Sequence, residues 1–295
     1  MPSAGFNSFG GIMNVQIMVG GIRFRFDSDF EIIVEESLSP FLCTEKNHFD
    51  VNVKVMCDGK KEDKPLVQMS GEDLLLEYYQ QDNQMLCLAK GGVGGYLSTV
   101  ICNSAFSDLE CHLHFQPVGA MRNLGNLLRL LPMCMLLQQK EVLFFHSAQI
   151  EIAGKGILFT APSGTGKTTH AKLWRKYRGA RIICNDRTLI RGEKTYGYPV
   201  DGSEPVGSGE ILTLGTVVFL EQAPLNEVRR LCPKEALLKL LPQLVIAAWD
   251  PNVRVLAMEQ LISLIKTCPV YLLRCTPEES AVQCLERQLK LDGVI

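Results

Sequence analysis

At 295 residues the chain has room for two ordinary domains or one large one. It can bury roughly three quarters of its extended surface without a disulfide or a structural metal. With 46% hydrophobic and 21% charged residues it has the make-up of a folded globular protein, and a net charge of −2 excludes the basic excess of a general nucleic-acid binder. The 11 cysteines, odd in number and without a C-x-x-C pair, give neither a disulfide framework nor a zinc motif. They read as reduced, mostly buried thiols of a cytosolic protein.

Residues 1–14 are Gly- and Ser-rich and read as a flexible tail, without the basic n-region of a signal peptide. Residues 15–118 read as strands. IRFRF (22–26), FDVNVKV (49–55) and LECHLHF (109–115) alternate, and SLSP, CDGKKEDK, QQDNQ and KGGVGG punctuate them. The expectation is an antiparallel, β-rich N-terminal domain with one solvated face, a candidate for substrate recognition. His112 and His114 share a strand face, but no third ligand stands near them, so they read as ordinary histidines rather than a metal pair.

Across 119–141 the segment MRNLGNLLRLLPMCMLLQQ (121–139) has helical spacing, which predicts a connecting helix kinked at Pro132. Its most apolar stretch, 127–137, is short and interrupted by Arg129 and Pro132. A bilayer span is not expected, and the protein is read as cytoplasmic with no membrane partner. Residues 142–295 mix the two periodicities. Strands are predicted at 142–152, 156–161, 180–186, 216–222 and 269–275, with a hairpin around RGEK (191–194). Helices are predicted from Lys167, over 234–246 and 257–267, and after Thr276, read as the cap of a helix with Glu279 three residues on.

The chemistry gathers at Ala161-Pro162-Ser163-Gly164-Thr165-Gly166-Lys167-Thr168, followed by Thr169. This is the P-loop spacing with alanine in place of the first glycine. Small residues let backbone N–H groups turn inward around phosphates, and the following helix points its positive end at the same place. Lys167 would neutralise the β/γ oxygens and the Thr168 hydroxyl would hold Mg²⁺. Asp186, closing the strand 180–186, is the candidate carboxylate for the metal, and Arg187 beside it is a candidate phosphate contact.

Three segments, FHSAQIEIAGKGILFTAPSGTGKTTHAKLW (145–174), ARIICNDRTLIR (180–191) and GEILTLGTVVFL (209–220), together resemble the HPr kinase/phosphorylase family, the P-loop class related to ATP-dependent phosphoenolpyruvate carboxykinase. More closely, the chain looks like bacterial HPr-kinase-related proteins of peptide-modification clusters, some of which phosphorylate peptides. The resemblance covers about 142–220, extends to 268–290, and is missing over 15–118. It implies an α/β kinase domain over 142–295, a mixed-sheet P-loop core behind the β-rich domain, α+β overall. It also places His146 near the transferring phosphate and Asn185-Asp186 where the family has two aspartates. Glu210 then stands in the place of a metal-site glutamate.

Two departures accompany it. The first aspartate of the family's pair serves as a base, and an amide at Asn185 cannot. Leu212 and Thr213 replace an arginine and a glycine after the glutamate, which argues against the reverse phosphorylase activity. The resulting expectation is a kinase using ATP and Mg²⁺ on serine or threonine of a peptide or small protein. The alternative is a nucleotide-binding regulator. ATP against GTP, the acceptor and the oligomeric state stay open at this point. The basic run KLWRKYRGAR (172–181) reads as a solvated helix face or a docking patch for an acidic peptide. The Gly/Pro-rich stretch 196–210 reads equally as a connector or a substrate loop, with Asp201 and Glu204 as acceptor contacts.

Overall fold

Alternation builds the first strands as expected: in Val51–Met56 the valines are buried while Asn52 and Lys54 are exposed, and in Ile22–Ile32 the side chains of Ile22, Phe24 and Phe26 are buried. The computed structural model describes residues 12–43, 48–58, 69–72, 75–91, 95–200 and 208–295, and the chain divides into two units, 1–139 and 140–295. Its architecture is mixed α/β with two mixed sheets. Among the described residues no helix is long and apolar enough to cross a membrane.

The first unit carries β1 (Ile12–Val19), β2 (Ile22–Ile32), β3 (Val51–Met56), β4 (Met69–Glu72), β5 (Leu76–Gln81), β6 (Gln84–Lys90), β7 (Tyr96–Asn103) and β8 (Asp108–Leu113), then helices α1 (Leu124–Leu130) and α2 (Met133–Gln139). Its sheet runs β1-β2-β3-β8-β7-β6-β5-β4. The antiparallel expectation is corrected at β3, which pairs parallel with both β2 and β8. The connection from β2 to β3 contains a 3₁₀ turn, Glu36–Phe41, and is long enough to return the chain to the same end of the sheet. The single solvated face is corrected as well: β6 is buried continuously from Met85 to Ala89, so both of its faces are covered.

Pro132 breaks the expected connecting helix rather than kinking it. Leu131 takes an extended conformation (ψ 150°) because the proline ring excludes the helical one, leaving two seven-residue helices. Of the expected tail, residues 1–11 lie outside the described residues and 12–14 belong to β1.

The second unit contains β9 (Leu143–Ile152), β10 (Lys155–Thr160), α3 (Lys167–Arg178), β11 (Arg181–Cys184), β12 (Arg187–Arg191), β13 (Lys194–Gly197), β14 (Ile211–Gln222), β15 (Glu227–Arg230), α4 (Pro233–Leu240), α5 (Pro251–Thr267), β16 (Val270–Cys275) and α6 (Glu279–Leu291). The sheet order is β10-β9-β12-β13-β14-β16-β15, and β10 also pairs parallel with β14, closing β9, β10, β12, β13 and β14 into a ring. Helices cover both faces. Val218 and Leu220 of β14 face Ala171, Trp174, Val282 and Leu285 of α3 and α6, whereas Val217 and Phe219 face Ala236, Leu240, Leu261 and Leu264 of α4 and α5.

Several predicted boundaries move. The helix expected over 234–246 ends at Leu240, with a 3₁₀ turn at Leu241–Gln243 around Pro242. The next helix begins at Pro251, six residues before the apolar pattern starts, because the Asp250 carboxylate accepts from the amides of Asn252 and Val253. The last helix begins at Glu279 with Glu278 before it, and Thr276 is no cap: its amide donates to Asn226 Oδ1 at 2.8 Å. Among the described residues no cysteine forms a disulfide, but only five of the 11 are buried and Cys232 is exposed.

Candidate active site

β10 runs between β9 and β14 and delivers the chain into the loop at Ala161. Ala161 is fully buried and is not among the residues with positive φ, so its backbone position does not demand glycine. Gly164 (φ 79°) and Gly166 (φ 113°) do take the left-handed region, which explains why those two positions are glycine. Thr165 donates from both its amide and its hydroxyl to Pro162 O, and Gln222, at the end of β14, donates from Nε2 to Thr165 O at 3.2 Å. Lys167 opens α3 and is buried, its Nζ donating to the carbonyls of Ala161 (2.9 Å) and Pro162 (3.3 Å). Its ammonium thus stands under the mouth of the loop, on acceptors that phosphate oxygens can replace.

The neighbouring strands bring up a charged group. Arg187 of β12 lies opposite His146 of β9, which sets Asp186 beside the histidine ring. His146 Nε2 lies 3.2 Å from Asp186 Oδ1, and Arg187 Nε lies 3.1 Å from Asp186 Oδ2. Ser147 N donates to Asp186 O, and the Thr168 hydroxyl reaches Asn185 O at 3.5 Å, so the loop helix and the β11–β12 turn meet. Burial and then the Lys167 ammonium push the His146 imidazole below its ordinary value, with Asp186 pulling the other way. Burial likewise pushes Lys167 down, and Asp186 partly restores it. Asn185 is buried, at 5% exposure.

His146, Lys167, Thr168, Asn185, Asp186 and Arg187 are therefore brought together. Among the described residues Glu210 makes no hydrogen bond or ion pair with them. Both of its oxygens accept from the Arg181 guanidinium (2.6 and 2.8 Å), which also holds Glu151 at 2.9 Å. Among the described residues no group of three or more His, Cys, Asp or Glu side chains is placed to hold a metal ion. Arg178 is committed too, to Glu286 and Glu279, while Lys172, Arg175 and Lys176 are exposed, as is Arg181. His112 pairs with Asp58 at 2.8 Å and His114 with Thr99 at 2.9 Å, separate partners as ordinary histidines have. Asp201 and Glu204 lie outside the described residues.

The family model of the SynChlorMet cassette protein ScmC matches residues 111–290, more than half of the chain. The chain belongs to the ScmC family. The ScmC match begins in β8 and contains every residue of the charged group and of the loop. No curated protein matches the chain. Among solved structures, the HPr(Ser) kinase/phosphatase from Coxiella burnetii is similar over 51% of this chain and 97% of its own, at 13% identity and a TM-score of 0.29.

Within this ScmC-family unit, sequence reasoning missed two features of the loop's surroundings. Gln222, which clips the loop, had a usable signal: it ends an apolar strand at the carboxyl edge of the sheet, where ligand contacts gather. His170 had none. It sits in the first turns of α3, accepts from Trp174 Nε1 at 3.2 Å and packs edge-on against Phe159, and burial pushes its pKa down to about 4. Beside the loop opens a cavity of about 560 Å³ that reaches from Gly164–Gly166 past His170 and Gln222 to Cys275–Pro277. A second hollow of about 670 Å³ lies against Pro162–Thr165 and is bordered by the Glu221–Lys239 ion pair (2.6 Å).

Proposed function

We propose that this ScmC-family chain is a Mg-ATP-dependent kinase that transfers the γ-phosphoryl group to a hydroxyl, that of serine or threonine in a peptide or small protein. The observation that carries the reading is the placement of Lys167. A buried ammonium closes a loop whose two glycines hold left-handed backbone, at the positive end of a 12-residue helix, within the field of the Asp186 carboxylate. Buried lysines are costly unless a negative partner serves them, and a polyphosphate is the partner this cradle suits.

The donor set also suits Mg²⁺, which keeps most of its waters and takes one or two protein oxygens beside substrate phosphates. The Thr168 hydroxyl and the Asp186 carboxylate would hold it, and when bound it neutralises charge across the β/γ oxygens. Glu210, tied to Arg181, is not needed for that set.

The remaining work falls to His146. A carboxylate only accepts, so the imidazole turns Nε2–H toward Asp186 and keeps its lone pair on Nδ1. Pushed below its ordinary pKa, the ring is neutral near pH 7 and can take the acceptor's proton as the hydroxyl oxygen bonds to phosphorus and the bond to the β,γ-bridging oxygen breaks. The imidazolium formed would be stabilised by Asp186. Arg187, 3.1 Å from the other carboxylate oxygen, adds positive charge beside it and would serve as a phosphate contact. Membership of a cassette family supports seeking the acceptor among products encoded beside this protein.

The test is transfer from γ-labelled ATP with Mg²⁺ and the cassette's own peptide, or host extract, as acceptor. Wild type is expected to give a labelled product and Lys167→Ala none; transfer by Lys167→Ala sinks the reading. One observation favours the nucleotide-binding regulator instead: the buried amide of Asn185 where the resembled family carries its base. Asn185→Asp separates the two. A kinase working through His146 and Asp186 keeps its rate within about tenfold, whereas a silent protein gains transfer on the order of 10²–10⁴-fold when a base is restored.

A further inference from the structure

Trp174 lies one turn after His170 on α3, and its indole Nε1 stands 3.2 Å from His170 Nε2. An indole N–H only donates, so Nε2 must supply a lone pair and the imidazole proton resides on Nδ1. The ring cannot turn away from this arrangement. It is 3% exposed and packed edge-on against Phe159 at 4.7 Å between centroids. Among the described residues no group hydrogen-bonds to Nδ1, and His170 is part of the wall of the 560 Å³ cavity beside the loop.

Gln222, on the same wall, is oriented in the same manner. Its Nε2 donates to Thr165 O, which leaves Oε1 as an acceptor. Thr276 offers no further donor, because its amide and hydroxyl both turn to Asn226 Oδ1 (2.8 and 3.4 Å). Leu173, Leu220, Ala223, Cys275 and Pro277 make much of the remainder apolar, and Thr165 and Thr169 add hydroxyls at the loop end. The wall thus presents one oriented donor and one oriented acceptor on a largely apolar surface next to the phosphate cradle.

We propose that this cavity seats an adenine ring, His170 Nδ1–H donating to a ring nitrogen and Gln222 Oε1 accepting from the exocyclic amine. Adenine carries an acceptor nitrogen next to its amine on both polar edges, so either edge satisfies this pair. Guanine offers two acceptors on one edge, which leaves Gln222 Oε1 without a donor, and on the other it brings an additional amine beyond what this pair serves. Mismatched polar groups in a mostly apolar pocket are what discriminates strongly. His170 thereby becomes a specificity residue, and Trp174 a positioning residue that acts through it. This inference rests on the nucleotide-binding reading above.

The experiment uses the full chain and has two readouts. Calorimetric titrations with ATP, GTP and tripolyphosphate should show ATP bound at least about tenfold more tightly than either of the others. His170→Phe and Trp174→Phe should each erase the preference of ATP over GTP. The imidazole ¹⁵N spectrum of the wild type should show His170 protonated on Nδ1, with that resonance moving on addition of ATP but not of tripolyphosphate. Equal affinity for all three compounds, an Nε2–H tautomer, or an Nδ1 resonance unmoved by saturating ATP each overturns the assignment. The wild-type spectrum decides even where a variant fails to fold. A wild type that binds neither ATP nor tripolyphosphate would instead remove the nucleotide reading, and this inference with it.

Discussion

His146 lies in the field of the Lys167 ammonium, and burial pushes both groups toward their neutral forms. For a base the sign follows directly. His146 can accept a proton only while uncharged, its folded pKa lies below 6.5, and activity should hold as pH falls to that value and decline beneath it. The acid limb of kcat/KM is therefore expected below pH 6.5. His146→Gln should remove the limb and slow transfer on the order of 10²–10⁴-fold. A limb above 6.5 would mean that another group accepts the proton. At this scale the sequence was informative wherever chemistry follows residue order, as in Gly164, Gly166 and Lys167. It was silent where chemistry comes from the fold. Nothing in the spacing of His170 and Trp174, four residues apart on a helix, distinguishes a core contact from a fixed tautomer. The charge of Arg181 could not reveal that Glu210 and Glu151 would converge on it.

The ring of β9, β10, β12, β13 and β14 is the element on which the loop depends, and Gly156 is more tightly enclosed than Gly215, the glycine of β14. A Cβ there would meet Thr195 Cγ2 at 2.5 Å and Gln149 Nε2 at 3.1 Å, where Thr195 and Gln149 are already joined by a hydrogen bond of 3.2 Å. Gly156→Ala is expected to lower stability by about 1–3 kcal/mol, read from the denaturant midpoint. Adding Thr195→Ser, which removes the offending methyl and keeps the hydroxyl, should recover most of the loss. No recovery in the double variant would show that the strain lies elsewhere. Most strands of the ring were visible as alternating or apolar runs, but the ring was not. A period of two fixes which face a side chain takes and says nothing of which strand lies alongside. The same limit hid the parallel neighbours of β3. Helix ends failed for a local reason: Thr276 followed by Glu279 reads as a capping pair, yet Asn226, 50 residues away, already holds the threonine amide.

At the scale of the molecule, each unit has its own sheet, and helices line both faces of the second with their apolar sides. A chain of residues 140–295 is expected to fold alone and to bind ATP as the full chain does, judged by a dispersed amide spectrum and by calorimetry. A collapsed spectrum would mean that the second unit requires the first. The first unit has a different dependence. Asn52 of β3 pairs with Asp108 of β8, 56 residues later, and β3 has no neighbour on that side until β8 arrives. At a ribosome's pace of roughly 5–20 residues per second, that wait is about 3–11 s. For those seconds Val51, Val53 and Val55 sit on an open sheet edge that any passing strand could complete. Synthesis speed between residues 56 and 108, rather than final stability, should then set how much of the newborn protein stays out of aggregates.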